Sequence, residues 1–538
     1  MAASRELIER TCARFDTLDK DRSTWRSHWQ ECADYCKPRK RDIDTQETPG
    51  GKQHEKIYNS VAEQSLDIFA AGLQSGTMPE SAKWLMPTLT NRKAAERPEY
   101  RAMLQEVADI FFQALSASNF QPEAHEACVD VGWCGTACVW MEEDAASIFR
   151  FSNRPIAEYV LAEGKDGRVD TIIRKLTMKA RQAQEDFQNP GEVVRECMKN
   201  NEPDKDVVIL HAVLPRKDRI PGLKDKRNMP WASLYIEQSK KELVEEGGYQ
   251  EFPALVWRAS KGTTDVYGRS PAMKALADIK TLNTMERTVT RAGEKAVDPP
   301  ILAPHQGITS PIQGSPNKVI WYQPEMGRNG SGVEPMPGGD PRIGLDLLAR
   351  KEQAIRSAFF VDVFLMLESM EGQRTATEVL ELKQEKLTIL GSLLTRQKEF
   401  LRALFERGLG ILWRMGMLPP QVAELSRQGL DVEFVSPLFL AQRYGEEVGA
   451  IDSQFMFASQ VAAATQDPSI FDNLDMDEAL RIRGRRFNFP AKIERAPEDV
   501  AAIRQSRAEA QQAAQQQAAM LNMAEVGNKL GVKANAAA

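Results

Sequence analysis

Tyr267-Gly268-Arg269-Ser270-Pro271 opens the stretch whose reading decides the fold, and Asp298-Pro299-Pro300 closes it. Ser270 can cap a helix, and Pro271 suits a first helical position, where its missing N–H has no partner to lose. The paired prolines end the helix because they cannot donate to its ladder. The residues between predict a rod about 40 Å long. Along it Leu276, Ile279, Leu282, Met285, Val289, Ala292 and Ala296 recur at spacings of three or four. That seam is narrow for a helix buried in a globule and suits packing beside similar helices, although an ordinary amphipathic surface helix shows the same pattern.

Downstream, the 43 residues from Pro299 to Pro341 hold nine prolines and seven glycines, too many for any helix. Two short strands are expected there, one through Ile301 and Leu302 and one through Val319 and Trp321. The chain returns as a helix from about Arg342 to Val361, so a small β-and-loop module is held between two helices. An apolar-then-polar loop follows, Phe364-Leu365-Met366-Leu367-Glu368-Ser369-Met370-Glu371-Gly372-Gln373-Arg374. Thr375-Ala376-Thr377-Glu378 is then a capping box, opening a helix of roughly 40 residues that Pro419 and Pro420 stop. The last hundred residues carry helical patterns over Tyr444 to Ala464 and Met476 to Arg486. A final segment from Pro497 runs into Ala/Gln-rich sequence, a solvated helix or partly ordered tail.

Upstream, residues 4 to 36 predict an amphipathic helical region with Trp25, Trp29, Cys32 and Cys36 on one face. Helices are expected over His54–Gly76, Glu96–Ala117 and Asn119–Val131. From Ala137 to Ser260 the pattern becomes short strands, with Gly164-Lys165-Asp166-Gly167 as a hairpin turn. The fold class is α+β, predominantly helical.

Composition narrows the function. With 538 residues and 42% hydrophobic content the chain can bury several cores. A net charge of −6 and a pI of about 5.7 argue against a general nucleic-acid binder, which needs a basic excess. No apolar run reaches spanning length and the N-terminus turns charged at once, so no membrane insertion and no secretory signal are expected. Seven cysteines, an odd count, point to free thiols.

Catalytic signatures are missing. Gly51-Lys52 and Gly164-Lys165 lack the Ser or Thr of a phosphate-binding loop, and Gly72-Leu73-Gln74-Ser75-Gly76 misplaces its serine for a nucleophile elbow. His125, Cys128, Cys134 and Cys138 are the densest set of candidate metal ligands, but their spacing fits no standard zinc pattern and reads as packing. The acidic pair Glu142 and Glu143 reads as a solvated surface. The expectation is no enzyme, no catalytic residue, no cofactor and no metal.

The order of these parts resembles the head-to-tail connector, or portal, proteins of short-tailed bacteriophages, over nearly the whole chain. The resemblance rests on Ala71-Gly72-Leu73-Gln74-Ser75-Gly76 followed by Trp84, on Leu115 to Phe120, and on Tyr267 to Pro271 with Leu282-Asn283. Thr375 to Glu378 and Glu498 to Arg507 complete it.

It implies a wing over residues 1–262, a first stem helix over 263–298, a clip over 299–341 and a second stem helix over 342–362. A tunnel loop over 363–374, a long bent wing helix with its following segment over 375–437 and a helical crown and tail over 438–538 finish the chain. It further implies a homododecameric ring at one capsid vertex of the virion, assembled in the host cytoplasm. Its partners would be double-stranded DNA in the channel, the terminase packaging motor, a tail adaptor, the major capsid and scaffolding proteins, and internal core or ejection proteins.

On that assignment Leu276, Ile279, Leu282, Met285, Val289 and Ala292 are the expected subunit interface of the stem. Phe364, Leu365, Met366, Glu368, Glu371 and Arg374 are the expected DNA-facing tunnel residues, and Ile301, Leu302, Val319 and Trp321 the expected clip strands. Two alternatives stay open: another virion component such as a tail adaptor, and a nucleic-acid enzyme whose active site has no short motif.

Overall fold

The structure, a computed structural model, describes residues 2–297 apart from 41–42, 45–49, 52–56, 92–96, 221 and 224. Beyond these it describes 301–302, 334–335, 342–368, 376–422, 429–436, 438–439, 448–466, 468–486, 493, 495 and 497–535. The described residues hold fourteen α-helices and four small sheets, a predominantly helical α+β protein. They divide into two compact units, Met1–Leu85 with Ile110–Leu418 and Ser436–Gly445, and Met86–Asp109 with Pro419–Val435 and Glu446–Ala538.

In the first unit α1 (Ala2–Asp21) and α2 (Ser23–Cys36) break at Arg22. The buried guanidinium of Arg22 donates to the carbonyls of Ile156, Ala157 and Tyr159 at 2.6–3.1 Å, fixing the helical corner to the chain ahead of the main sheet. Trp29, Cys32 and Cys36 are fully buried and Trp25 half-buried, as the spacing predicts. The helix expected from His54 begins later, as α3 (Val61–Thr77). Asn59 Oδ1 accepts the Val61 N–H at 2.9 Å, so the chain ahead of the helix turns on a side-chain bond instead of continuing the ladder. Of the expected residues before Val61, 54–56 lie outside the described set.

The two helices expected next are α4 (Pro98–Ser116) and α5 (Phe120–Trp133). Seven of the strands that follow match the expected set: β2 (Thr136–Asp144), β3 (Ile148–Arg154), β4 (Tyr159–Glu163), β5 (Val169–Lys179), β6 (Asp206–Pro215), β7 (Trp231–Glu237) and β9 (Ala254–Arg258). They are preceded by β1 (Leu85–Leu89). Two elements were not expected, α7 (Glu192–Lys199), which follows α6 (Ala180–Asp186), and β8 (Glu242–Tyr249). β8 is the last strand of the sheet β4-β5-β6-β7-β8 and is bonded on one side only. Its Glu-rich sequence is what an edge strand carries, and it hides the alternation that marks an inner one.

Helix α1 covers one face of this sheet through Ile8, Cys12 and Phe15 against Val160, Ile173, Leu210 and Leu234, while α6 and α7 pack Ala183, Phe187 and Val194 on Val207, Ile209 and Val244. Strand register sets Tyr159, Arg174, His211 and Tyr235 side by side on four successive strands. His211 stacks on Tyr235 at 4.1 Å, and Arg174 lies 4.6 Å over the Trp140 ring of the second sheet, β3-β2-β9.

The rod is α8 (Pro271–Val297), its return helix α9 (Arg342–Ala358), and between them β10 (Ile301–Leu302) pairs antiparallel with β11 (Glu334–Pro335). Phe360, at φ +58°, breaks the return helix, and α10 (Val361–Glu368) follows. The expected loop from 363 is therefore helical as far as Glu368, because its apolar half, Val363 and Phe364, finds a surface to bury against. Thr375, the expected cap, lies outside the described residues. α11 (Ala376–Arg414) then stacks Phe400 on Trp257 of β9 at 5.6 Å.

In the second unit β12 (Leu430–Phe434), which no local pattern announced, joins β1, and Leu89 and Leu104 bury against Leu430 and Tyr100. Helices α12 (Val448–Thr465), α13 (Met476–Arg486) and α14 (Pro497–Asn535) complete it, with Arg504 of α14 bonded to Asp477 of α13. Residues 86–109 group with the C-terminal segments and not with the rest of 1–262. Leu438 and Phe439, at the start of the expected crown, are buried in the first unit.

Candidate functional site

Several hydrogen bonds and ring contacts fix the root of the α8–α9 hairpin in the first unit. Ser270 Oγ accepts the Met273 N–H at 3.0 Å, the capping bond its position predicts, and donates to the Trp133 carbonyl at 2.8 Å, so the cap also ties the helix to α5. Tyr267 is buried edge-on to Trp29 at 5.0 Å and accepts the Leu161 N–H at 3.2 Å. Burial pushes its phenol pKa up, so it stays protonated at neutral pH. The opening motif thus gathers α2, α5 and the β4 strand at one point.

Along the rod the seam splits. Leu276, Ile279 and Leu282 are buried within the single chain, whereas Met285, Val289 and Ala292 are half-buried. A Cβ built on Gly344 would stand 2.6 Å from Val289 Cγ2, so α9 approaches α8 closely there. Asp278 accepts from Lys351 at 2.6 Å. Residues 278 and 289 thus lie beside 351 and 344, and the hairpin is antiparallel. The first three seam residues are consequently not available to a neighbouring subunit, a correction to the expected interface: the return helix and the body already cover them.

Polar contacts clamp the hairpin to the body. Asn59 donates to Glu286 and Glu352, one on each helix, at 3.4 and 3.1 Å. The Tyr58 N–H donates to Asn283 at 2.7 Å, Lys280 reaches Glu31 at 2.6 Å, and Arg287 lies 5.5 Å over the Tyr58 ring. Apart from Asn283, quoted for the family resemblance, these contacts were not foreseen from the sequence, since their partners stand 200 to 300 positions away and leave no local signal.

Phe364, expected to face a channel, is buried instead. Its ring lies against the backbone of Gly72, where any Cβ would overlap it, and edge-on to Phe69 at 6.0 Å. Leu365 is 44% exposed. Met366 and Glu368 sit on the last turn of α10, and Glu371 and Arg374 lie outside the described residues. Of the clip residues, Ile301 pairs with Pro335 and Leu302 with Glu334, while Val319 and Trp321 lie outside the described set.

The candidate metal ligands part company. His125 Nδ1 bonds Gln74 at 2.9 Å, and the Cys134 thiol donates to the Asp130 and Thr136 carbonyls at 3.1 Å. Burial pushes the thiols of Cys128 and Cys134 well above their ordinary range and that of Cys138 up to about 12. Among the described residues no group of three His, Cys, Asp or Glu could hold a metal ion. Glu142 and Glu143 accept from Trp140 and Arg414. No described helix is long and apolar enough to cross a membrane.

Residues 9–494 match the family described as bacteriophage head to tail connecting protein, and the chain belongs to that family. It is 30% identical over 537 residues to the probable portal protein of Bordetella phage BPP-1, spanning 96% of this chain and 94% of that one. It is 28% identical over 520 residues to the portal protein of Salmonella phage epsilon15, spanning 94% and 92%. Among solved structures, the virion of a native gene transfer agent particle is a distant likeness with a TM-score of 0.36, 12% identity, and coverage of 78% of this chain and 91% of that one. The neck of an empty particle of the same kind has a TM-score of 0.36, 13% identity, and coverage of 81% and 92%.

Proposed function

We propose that copies of this chain form a ring at one capsid vertex, the channel through which double-stranded DNA enters the head and leaves it. The observation that carries this reading is the co-extensive match to two phage portal proteins, over more than nine-tenths of each chain. In it α8 and α9 form the stem, residues 299–341 the clip that meets the packaging motor and later the tail adaptor, and α12 to α14 the crown inside the head. The chain acts by shape and assembly and not by catalysis. Its place is the head–tail junction of the virion, with capsid and scaffolding proteins around the ring and core or ejection proteins behind it.

The test is a phage carrying a nonsense codon in this gene, complemented by a tagged copy of the chain. Labelled particles should carry the tag at a single vertex, and uncomplemented infections should yield heads without DNA and without tails. Tags spread over many vertices, or DNA-filled tailed particles without the chain, would contradict the proposal.

A further inference from the structure

The return helix ends in a bend that one residue makes. Phe360 has a φ of +58°, a left-handed conformation costly for a bulky side chain, while α9 before it and α10 after it are right-handed helix. The Phe359 N–H still donates to the Ile355 carbonyl at 3.1 Å, but the Phe360 N–H turns to that of Ser357 at 3.1 Å. The N–H groups of Val363 and Phe364 then donate to the Phe360 carbonyl at 3.0 and 3.2 Å. The break forgoes the bonds that Val361 and Asp362 would make to Ser357 and Ala358 in a continuous helix. Rotating Phe360 into the right-handed region would join α9 and α10 into one helix, about 15 Å longer than α9 alone.

Contact with α3 holds the bend. Phe359, Val361, Val363 and Phe364 are buried. The Phe69 ring lies 6.4 Å from Phe359, 6.4 Å from Phe360 and 6.0 Å from Phe364. A Cβ on Gly72 would stand 2.4 Å from the Phe364 ring, so the seat admits that ring only because residue 72 has no side chain. Across the bend, Gln353 of α9 donates to Asp362 of α10 at 2.9 Å. In a continuous helix these two would stand about 13 Å apart along the axis, so their bond belongs to the bent form alone. Further along α3, the Thr77 hydroxyl accepts from Gln397 of α11 at 2.7 Å, so α3 touches the chain on both sides of α10. Burial of an apolar face on α3 thus offsets a strained φ and an interrupted ladder.

We propose that α10 is a strap with two positions: folded onto α3 with Phe364 against Gly72, and drawn out in line with α9, with Phe360 as the hinge. The switch is a property of the single chain and does not depend on ring formation. Strain at the hinge favours the drawn-out form and the apolar seat favours the folded one. A load that lifts Phe364 off Gly72 is therefore answered by growth of the return helix.

The experiment places spin labels on the full chain at Asp346→Cys and Leu365→Cys, both exposed positions. Labelled chain is diluted in unlabelled chain, so each measured pair lies in one copy. All seven native cysteines are buried and stay unlabelled. In a continuous helix the two sites stand about 28 Å apart, and the bend shortens that distance. The unaltered seat should give the short distance. Gly72→Ala fills the seat and should move about half of the pairs or more to the long distance expected of a continuous helix. Adding Phe360→Gly removes the strain of the bend and disfavours a continuous helix, so the long population should fall about threefold or more. Phe364→Ser, which empties the seat without altering α3, should give the same long distance as Gly72→Ala. Retention of the short distance in both release variants would overturn the switch. So would a broad spread with no long population, since α10 would then melt on release instead of joining α9.

Discussion

Asp130 shows how much one buried side chain can organise. Its Oδ1 accepts from Lys40 at 2.6 Å and from the Trp133 indole at 2.8 Å, and its Oδ2 from Asn153 at 2.6 Å. Burial alone would lower the Lys40 pKa, but Asp130 and Glu126 outweigh it and the ammonium is held above its usual range. Asp130→Ala would leave Lys40 to Glu126 alone, at 2.8 Å, and would strand the donors of Trp133 and Asn153, a loss of about 2–4 kcal/mol at about 1–3 kcal/mol for each stranded group. Urea unfolding read by tryptophan fluorescence should show that loss, and a loss under 1 kcal/mol, which is about what an exposed pair contributes, would contradict it. His211 gives a pH dependence. Burial first, then the charges of Arg174 and Arg154, hold its imidazole well below the ordinary value, so the folded chain keeps it neutral. Below about pH 6.5 the unfolded chain binds a proton that the folded chain refuses, so stability falls with falling pH by about 1.4 kcal/mol per unit. His211→Gln should flatten that slope between pH 6.5 and 5, whatever it does to stability at pH 8; an unchanged slope would rule His211 out as its source.

At the scale of elements, two glycines set how closely helices approach. Gly72 leaves room on α3 for the Phe364 ring, and Gly72→Val should drive α10 off its seat, which limited proteolysis near residue 364 would detect as faster cleavage. Phe364→Ala should do the same, removing about 3 kcal/mol of packing. Gly344→Ala should wedge α9 from α8 at Val289 and lower thermal stability of the hairpin. The rod itself was legible in the sequence because its signals are local: Ser270 caps, Pro271 starts and Pro299 stops. The seat of Phe364 was not, since Gly72 lies almost three hundred residues away, and an apolar run before a polar one reads as a loop until its partner is seen. β8 escaped notice for a different reason, its glutamates masking a strand bonded on one side.

For the whole molecule, the order of parts carried the class of protein, while the contacts that make the site did not follow from pattern. Half of the seam on α8, Leu276, Ile279 and Leu282, is buried within the chain itself, and nothing in a periodicity distinguishes a partner within the chain from one in another copy. The polar clamp of Asn59, Glu286 and Glu352 has no sequence signature for the same reason.

The central claim is that identical chains close into a ring around a hole. Native mass spectrometry of the purified full-length chain, with negative-stain imaging of the largest species, tests it most directly. The account predicts one closed oligomer of fixed subunit number with a central channel, persisting across salt concentrations. A chain that stays monomeric or dimeric at every concentration and salt, and that forms no ring when scaffolding protein is supplied, would contradict it.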